Sequence, residues 1–137
     1  DCDIAVMSAA VADYTPESYS LQKIKKQEEV FTIPLKRTVD ILASLGKQKT
    51  AHQTLVGFAL ETNNELQNAT EKLKRKNLDF IVLNSMNDKG AGFSTDTNQI
   101  TIIDNQDHIT PFILKSKTEV AKDICQYIVS QRSSQQS

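Results

Sequence analysis

The chain has 137 residues, of which 24% are charged and 39% hydrophobic, and its formal net charge is −1. That length suits one compact domain with a core of its own. It contains no apolar run of the roughly 18–20 residues that a membrane helix needs and lacks the basic excess of a surface built to grip nucleic acid. Cys2 and Cys125 are the only cysteines. So sparse a usage fits small buried hydrophobes in a reducing cytoplasm better than a disulfide scaffold. The opening Asp1-Cys2-Asp3 has no basic n-region of a signal peptide. It runs straight into apolar residues, which reads as part of a longer domain.

Residues 3–12 (DIAVMSAAVA) are small, apolar and β-branched, the pattern of a buried central strand and a following turn. Residues 14–29 are polar, with Pro16 and three lysines, and read as a loop. Residues 30–35 (VFTIPL) alternate, and Pro34 suggests an edge strand or its end. Thr38 is placed as the N-cap of a helix whose apolar face is Val39, Ile41, Leu42 and Leu45 and whose stop is Gly46. Residues 54–60 (TLVGFAL) are a second buried strand. Thr62, Asn63 or Asn64 then caps a helix over about 64–76 with Leu66, Ala69 and Leu73 as its stripe. Residues 79–84 (DFIVLN) are a third buried strand. Residues 98–104 and 109–114 read as a hairpin joined by Asn105-Gln106-Asp107-His108. Ser116 and Glu119 form a capping box before a last helix with Ala121, Ile124, Cys125 and Ile128 inward. The tail, residues 132–137 (RSSQQS), is disordered on composition. Strands alternating with helices predict an α/β fold with a mainly parallel sheet, flanking helices and an appended antiparallel hairpin.

Open α/β sheets place ligands at the carboxyl ends of their strands. After the first strand comes Ser8-Ala9-Ala10-Val11-Ala12-Asp13-Tyr14, where small residues let a ligand approach the backbone and its amides. Asp13 could accept from a ribose or a base, hold a metal ion, or simply cap a turn. After the second strand come Phe58, Glu61 and Thr62; after the third come Asn84, Gly90-Ala91-Gly92-Phe93 and Asp96-Thr97-Asn98. Three such ends suggest one shared crevice, although no G-x-G-x-x-G or Walker pattern is present. Lys23, Lys25 and Lys26 sit on the loop, whereas Lys72, Arg75 and Lys76 crowd the last turn of a helix. Two readings of the lysines stand. One is a polyphosphate clamp of a lid lysine and two helix lysines; the other is plain pairing of cations with a helix C-terminus.

Several motifs occur in order: Ala9-Ala10-Val11-Ala12-Asp13-Tyr14, Lys23-Ile24-Lys25-Lys26, Val56-Gly57-Phe58-Ala59-x-Glu61-Thr62, Lys76-Asn77-x-Asp79 and Gly92-Phe93-x-x-Asp96-x-Asn98. Together they resemble the phosphopantothenate–cysteine ligase domain of the bifunctional bacterial pantothenate-metabolism flavoproteins, over nearly the whole chain. The resemblance implies a Rossmann-like fold and a step of coenzyme A biosynthesis. CTP with Mg²⁺ activates the carboxylate of 4′-phosphopantothenate as an acyl-cytidylate, and cysteine then displaces CMP to form an amide. The residues do not decide between CTP and ATP.

Carried over residue by residue, the nucleotide site implied by the resemblance comprises Met7, Ser8, Ala9, Asp13, Lys23, Phe58, Lys72 and Lys76. Backbone contacts come from Lys36, Arg37, Thr38 and Val39. Lys23 is the catalytic lid lysine, and no metal ligands are assigned. Thr38-Val39-Asp40-Ile41 stands where the family often has Asn-Pro-Asp-Ile, and Ser85-Met86 where Asp-Val is usual. No segment matches the family's Gly-Gly-Thr strand and the loop after it. Residues 1–131 are therefore expected to be the C-terminal part of a nucleotide-binding ligase domain, with the first βα units missing and the chain inactive alone. The resemblance further implies a cytoplasmic homodimer, no FMN in this part of the chain, and a flavin-dependent decarboxylase domain in the parent. A rival of another class is a non-catalytic nucleotide-binding or dimerisation module. A nucleic-acid domain built on Lys23–Lys26 is disfavoured by the near-zero net charge, and neither nucleic acid nor a membrane is an expected partner.

Overall fold

The structure is a computed structural model, and it describes residues 2–24, 31–85 and 95–135. Among the described residues five strands form the main sheet: β1 (Ile4–Met7), β4 (Thr54–Glu61), β5 (Phe80–Ser85), β7 (Ile100–Asp104) and β8 (Ile109–Pro111), in the order β1-β4-β5-β7-β8. β1, β4 and β5 run parallel, while β7 and β8 add antiparallel. Two small ladders flank it. β2 (Tyr14–Pro16) pairs with β3 (Leu35–Arg37), and β6 (Thr97–Asn98) pairs with β9 (Lys115–Ser116). The helices are α1 (Ile41–Gln48), α2 (Glu65–Arg75) and α3 (Lys117–Gln135). Among the described residues no helix is long and apolar enough to cross a membrane.

The period of two along the strands explains the three layers. Leu55, Ala59, Ile81, Leu83 and Ile103 face one way, onto Ala69 and Leu73 of α2 and Leu42 and Leu45 of α1. Val56, Phe80, Val82, Ile100 and Ile102 face the other, onto Val120, Ile124 and Ile128 of α3. Strands covered on both faces are written as near-continuous apolar runs, which is why β4 and β5 are recognisable from sequence. Each fully covered Leu, Ile or Phe contributes roughly 1.5–3 kcal/mol of burial.

The Rossmann-like α/β arrangement and the antiparallel addition match the sequence expectation, but several local readings are corrected. β1 is an edge strand rather than a central one, and Ile4 and Val6 are about 40% exposed. The segment read as a loop contributes β2, and the strand expected at 30–35 instead covers Leu35–Arg37, because its pairing is with Tyr14–Pro16. Thr38 does not cap α1. Its hydroxyl donates to Ala12 O at 2.7 Å and its N–H to Asp13 O at 2.9 Å, while Asp40 is the N-cap, accepting from Ala43 N–H at 2.9 Å. Val39 and Ile41 are therefore outside the apolar face and exposed. Gly46 lies inside α1 rather than after it.

Asn64 caps α2 in the left-handed conformation, φ 46°, and Leu66 is exposed. The capping box is present: Ser116 N–H and hydroxyl both donate to Glu119, whose N–H donates to Ser116 Oγ. On α3 it is Val120, not Ala121 or Cys125, that joins Ile124 and Ile128 inward, and both cysteines are exposed. The tail expected to be disordered from Arg132 is helical through Gln135. Arg132 Nη1 donates to Asp3 O, His52 O and Thr54 Oγ1, each at 3.2 Å, so the guanidinium ties the end of α3 to the strands.

Candidate functional site

The carboxyl ends of β1, β4 and β5 open on one groove of about 890 Å³. Met7, Ser8, Ala9 and Asp13 line it from the end of β1 and the small-residue loop after it. Arg37, Thr38 and Val39 line it from the end of β3, Phe58 from β4, and Lys72 and Lys76 from α2. The loop after β1 is held down by the two Thr38 bonds and by Glu17 N–H donating to Pro34 O at 2.9 Å. The β2–β3 ribbon thereby becomes a wall of the groove. Lys23 and Lys36 are exposed and are not among the groove's lining residues. Lys25 and Lys26 lie outside the described residues, as does Gly90-Ala91-Gly92-Phe93.

Lys72 and Lys76 are one turn apart near the end of α2, so they share a face. Lys72 Nζ donates to Phe58 O at 2.8 Å. Burial pushes the pKa of Lys72 below the usual lysine range, and the charges of Lys76 and Arg75 push the same way against the opposing pull of Glu61. A half-buried ammonium whose charge is raised in cost by its surroundings gains more than an ordinary lysine from an arriving anion. Lys76 Nζ lies 2.9 Å from Asp40 Oδ2, and its side chain is only 14% exposed. The Ala43 N–H, and next the Lys76 ammonium, hold the Asp40 carboxyl below its ordinary pKa.

Asn84 lies next to the end of β5, and its Oδ1 accepts from Asn98 Nδ2 at 2.8 Å, while Asn98 Oδ1 accepts from Gln99 N–H at 3.0 Å. Both line the groove, as the strand-end argument expects. Asp40 and Lys117 also line it and were missed. Asp40 carried a signal, an N-cap residue type immediately before a helical periodicity; Lys117 carried none beyond its place inside the capping box, directly after Ser116. Asp79, by contrast, belongs to the other end of the sheet. It accepts from Leu55 N–H and from Lys49 Nζ at 2.7 Å, and so joins the end of α1 to the start of β5. Its part in the motif at 76–79 is structural.

Among the described residues no three His, Cys, Asp or Glu side chains converge as a metal cage. The groove is a cradle of backbone, two amides and several cations, with carboxylates at Asp13 and Asp40. That donor set suits a phosphorylated ligand.

Residues 1–131 match the family model described as DNA/pantothenate metabolism flavoprotein C-terminal domain. The chain is 56% identical over 130 residues to a cysteine/cysteine sulfinic acid decarboxylase from an unknown prokaryotic organism, covering 95% of this chain and 36% of that protein. It is 46% identical over 128 residues to the coenzyme A biosynthesis bifunctional protein CoaBC of Bacillus subtilis (strain 168), covering 93% and 31%. The chain thus spans about a third of the length of these curated relatives. Among solved structures it resembles the C-terminal domain of a coenzyme A biosynthesis bifunctional protein CoaBC, with a TM-score of 0.75, 35% identity, and coverage of 96% of this chain and 56% of that one.

Proposed function

The chain belongs to the DNA/pantothenate metabolism flavoprotein C-terminal domain family, and on that premise we propose that it is the nucleotide-binding part of a phosphopantothenate–cysteine ligase acting in coenzyme A biosynthesis. One observation carries the reading: Lys72 and Lys76 stand side by side in a groove at the carboxyl ends of three parallel strands.

In this reading the triphosphate of CTP lies against the two ammonium groups and the backbone of residues 7–9. The carboxylate of 4′-phosphopantothenate attacks the α-phosphorus, forming the acyl-cytidylate and expelling pyrophosphate. The cysteine amine then attacks the acyl carbon, CMP leaves, and the amine proton is released. The chain's contribution is positioning and neutralisation of phosphate charge. Lys23, outside the groove here, is the lid lysine that joins the phosphates. Mg²⁺ fits as an ion carried in by the nucleotide, since Mg²⁺ is commonly held by substrate phosphates, water and one or two carboxylates. Asp13 is the groove residue that would face it. The working enzyme is a cytoplasmic homodimer whose parent also carries the flavin-dependent decarboxylase.

Calorimetric titration of the full-length protein with Mg²⁺ and CTP, then ATP, tests this. Saturable CTP binding with weaker ATP binding supports the reading; no binding of either nucleotide overturns it. Turnover separates the reading from the 56% identical relative. CTP-dependent amide formation with cysteine is expected, and CO₂ release from free cysteine with no amide product would assign the chemistry named for that relative instead.

A further inference from the structure

The end of α2 is held by α1 at two places. Gly46 faces the Lys76 carbonyl so closely that a Cβ would overlap its oxygen, and Asn77 Nδ2 donates to Gly46 O at 2.7 Å. On the groove side, the Lys76 ammonium reaches back 36 residues to Asp40, 3.1 Å from Oδ1 and 2.9 Å from Oδ2. Asp40 is not free to follow the lysine, because Oδ1 also accepts the Ala43 N–H as the N-cap of α1. The start of α1 therefore dictates where the ammonium stands.

An N-cap needs only an acceptor oxygen, and Ser, Thr or Asn supplies one as well as Asp does. A carboxylate adds a charged partner for a cation. We propose that Asp40 is a positioning residue: it fixes the Lys76 ammonium in the groove for a phosphate of the bound nucleotide without touching that nucleotide itself. The proposal rests on the nucleotide reading above. Two oxygens of Asp40 engage Lys76, and an ammonium has three N–H groups, so a donor is left for the ligand. A lysine ordered during folding loses less conformational freedom when the ligand arrives. The carboxylate also repels phosphate, but the Asp40 side chain is 52% exposed, so water and salt screen that repulsion. The Lys76 side chain is only 14% exposed, so its placement is screened less than that repulsion is.

The test is calorimetric titration of Mg²⁺–CTP into the full-length protein. The variants are Asp40→Ser, Asp40→Asn, Lys76→Met and the double Asp40→Ser/Lys76→Met. Asp40→Ser is expected to weaken binding roughly five-fold with Tm within about 2 °C of the parent, since the cap survives. Asp40→Asn, which keeps a neutral acceptor, falls between. In the Lys76→Met background Asp40→Ser has no further effect, a coupling that a purely structural cap would not produce. Tighter binding by Asp40→Ser would overturn the proposal in favour of a carboxylate that competes with phosphate. Equal losses in both backgrounds, or no loss with Lys76→Met, would also overturn it. If Asp40→Ser proves unstable, the same cycle is run with Asp40→Asn. Absence of CTP binding by the parent protein would mark failure of the nucleotide reading itself, and this proposal would fall with it.

Discussion

Gly46 of α1 lies directly against the Lys76 carbonyl at the end of α2: the two backbones meet where no Cβ fits. This close approach joins α1 to the end of α2, and both helices line the groove. Gly46→Ala is expected to destabilise the fold by roughly 1–3 kcal/mol through overpacking, although alanine is the better helix former. Thermal unfolding checks it. A variant melting at or above the parent temperature would mean that α1 can slide without cost.

Lys72 carries a different balance. Its folded pKa lies below the ordinary lysine value of 10.5, chiefly through burial and then through Lys76. Between the folded and the unfolded value the unfolded chain binds more protons, so stability rises with pH in that window and the ammonium is a cost below it. Lys72→Met is expected to flatten this alkaline rise and to be about as stable as the parent at pH 7, while nucleotide affinity falls on the order of tenfold. Melting curves from pH 7 to 10, with one titration at pH 7, read both effects. Unchanged affinity would remove Lys72 from the proposed phosphate site.

Asp104 anchors the β7–β8 turn. Its carboxylate accepts from the Gln106 and His108 N–H groups at 2.9 Å and meets His108 Nδ1 at 3.0 Å. Burial alone would push its pKa up, but the backbone and side-chain bonds of His108, with the Gln106 N–H, outweigh burial and hold it below the ordinary value of 3.8. A depressed carboxylate stabilises the fold above its unfolded pKa, and that contribution is lost as pH falls through the folded value. Asp104→Ala is expected to cost about 1–3 kcal/mol at pH 7 by leaving turn amides without an acceptor. The difference from the parent should shrink below pH 3.8. Urea unfolding across pH 2.5–7 measures it; a difference constant with pH would assign the effect to packing.

Arg132 makes the end of α3 part of the fold. Arg132→Ala removes donors to Asp3 O, His52 O and Thr54 Oγ1 and is expected to cost roughly 1–2 kcal/mol. Arg132→Lys, which retains charge but not the fork of donors, should recover only part. Equal melting temperatures for parent and alanine variant would restore the loose tail that composition alone suggests.

The amino-acid sequence by itself determined the elements whose patterns are local. β4 and β5 are apolar runs because both faces are covered, Ala69 and Leu73 recur at helical spacing, and Ser116 with Glu119 marks a helix start. It also placed Ser8, Ala9, Asp13 and Phe58 around one crevice, because parallel strands bring their carboxyl ends together whatever their order, while Met7 entered through the family resemblance and Lys72 and Lys76 through one of two readings of the helix lysines; all of them line the groove. Tertiary structure alone decided which strand is the edge, that Tyr14–Pro16 pairs with Leu35–Arg37, and that Asp40 rather than Thr38 caps α1. It also recruited Arg132 into the fold. Those outcomes rest on partners 26, 36 and 78 residues away, as Thr38 with Ala12, Lys76 with Asp40 and Arg132 with Thr54 illustrate. Periodicity within a dozen residues records which face a side chain takes; it carries no record of which distant donor or acceptor the folded chain will bring against it.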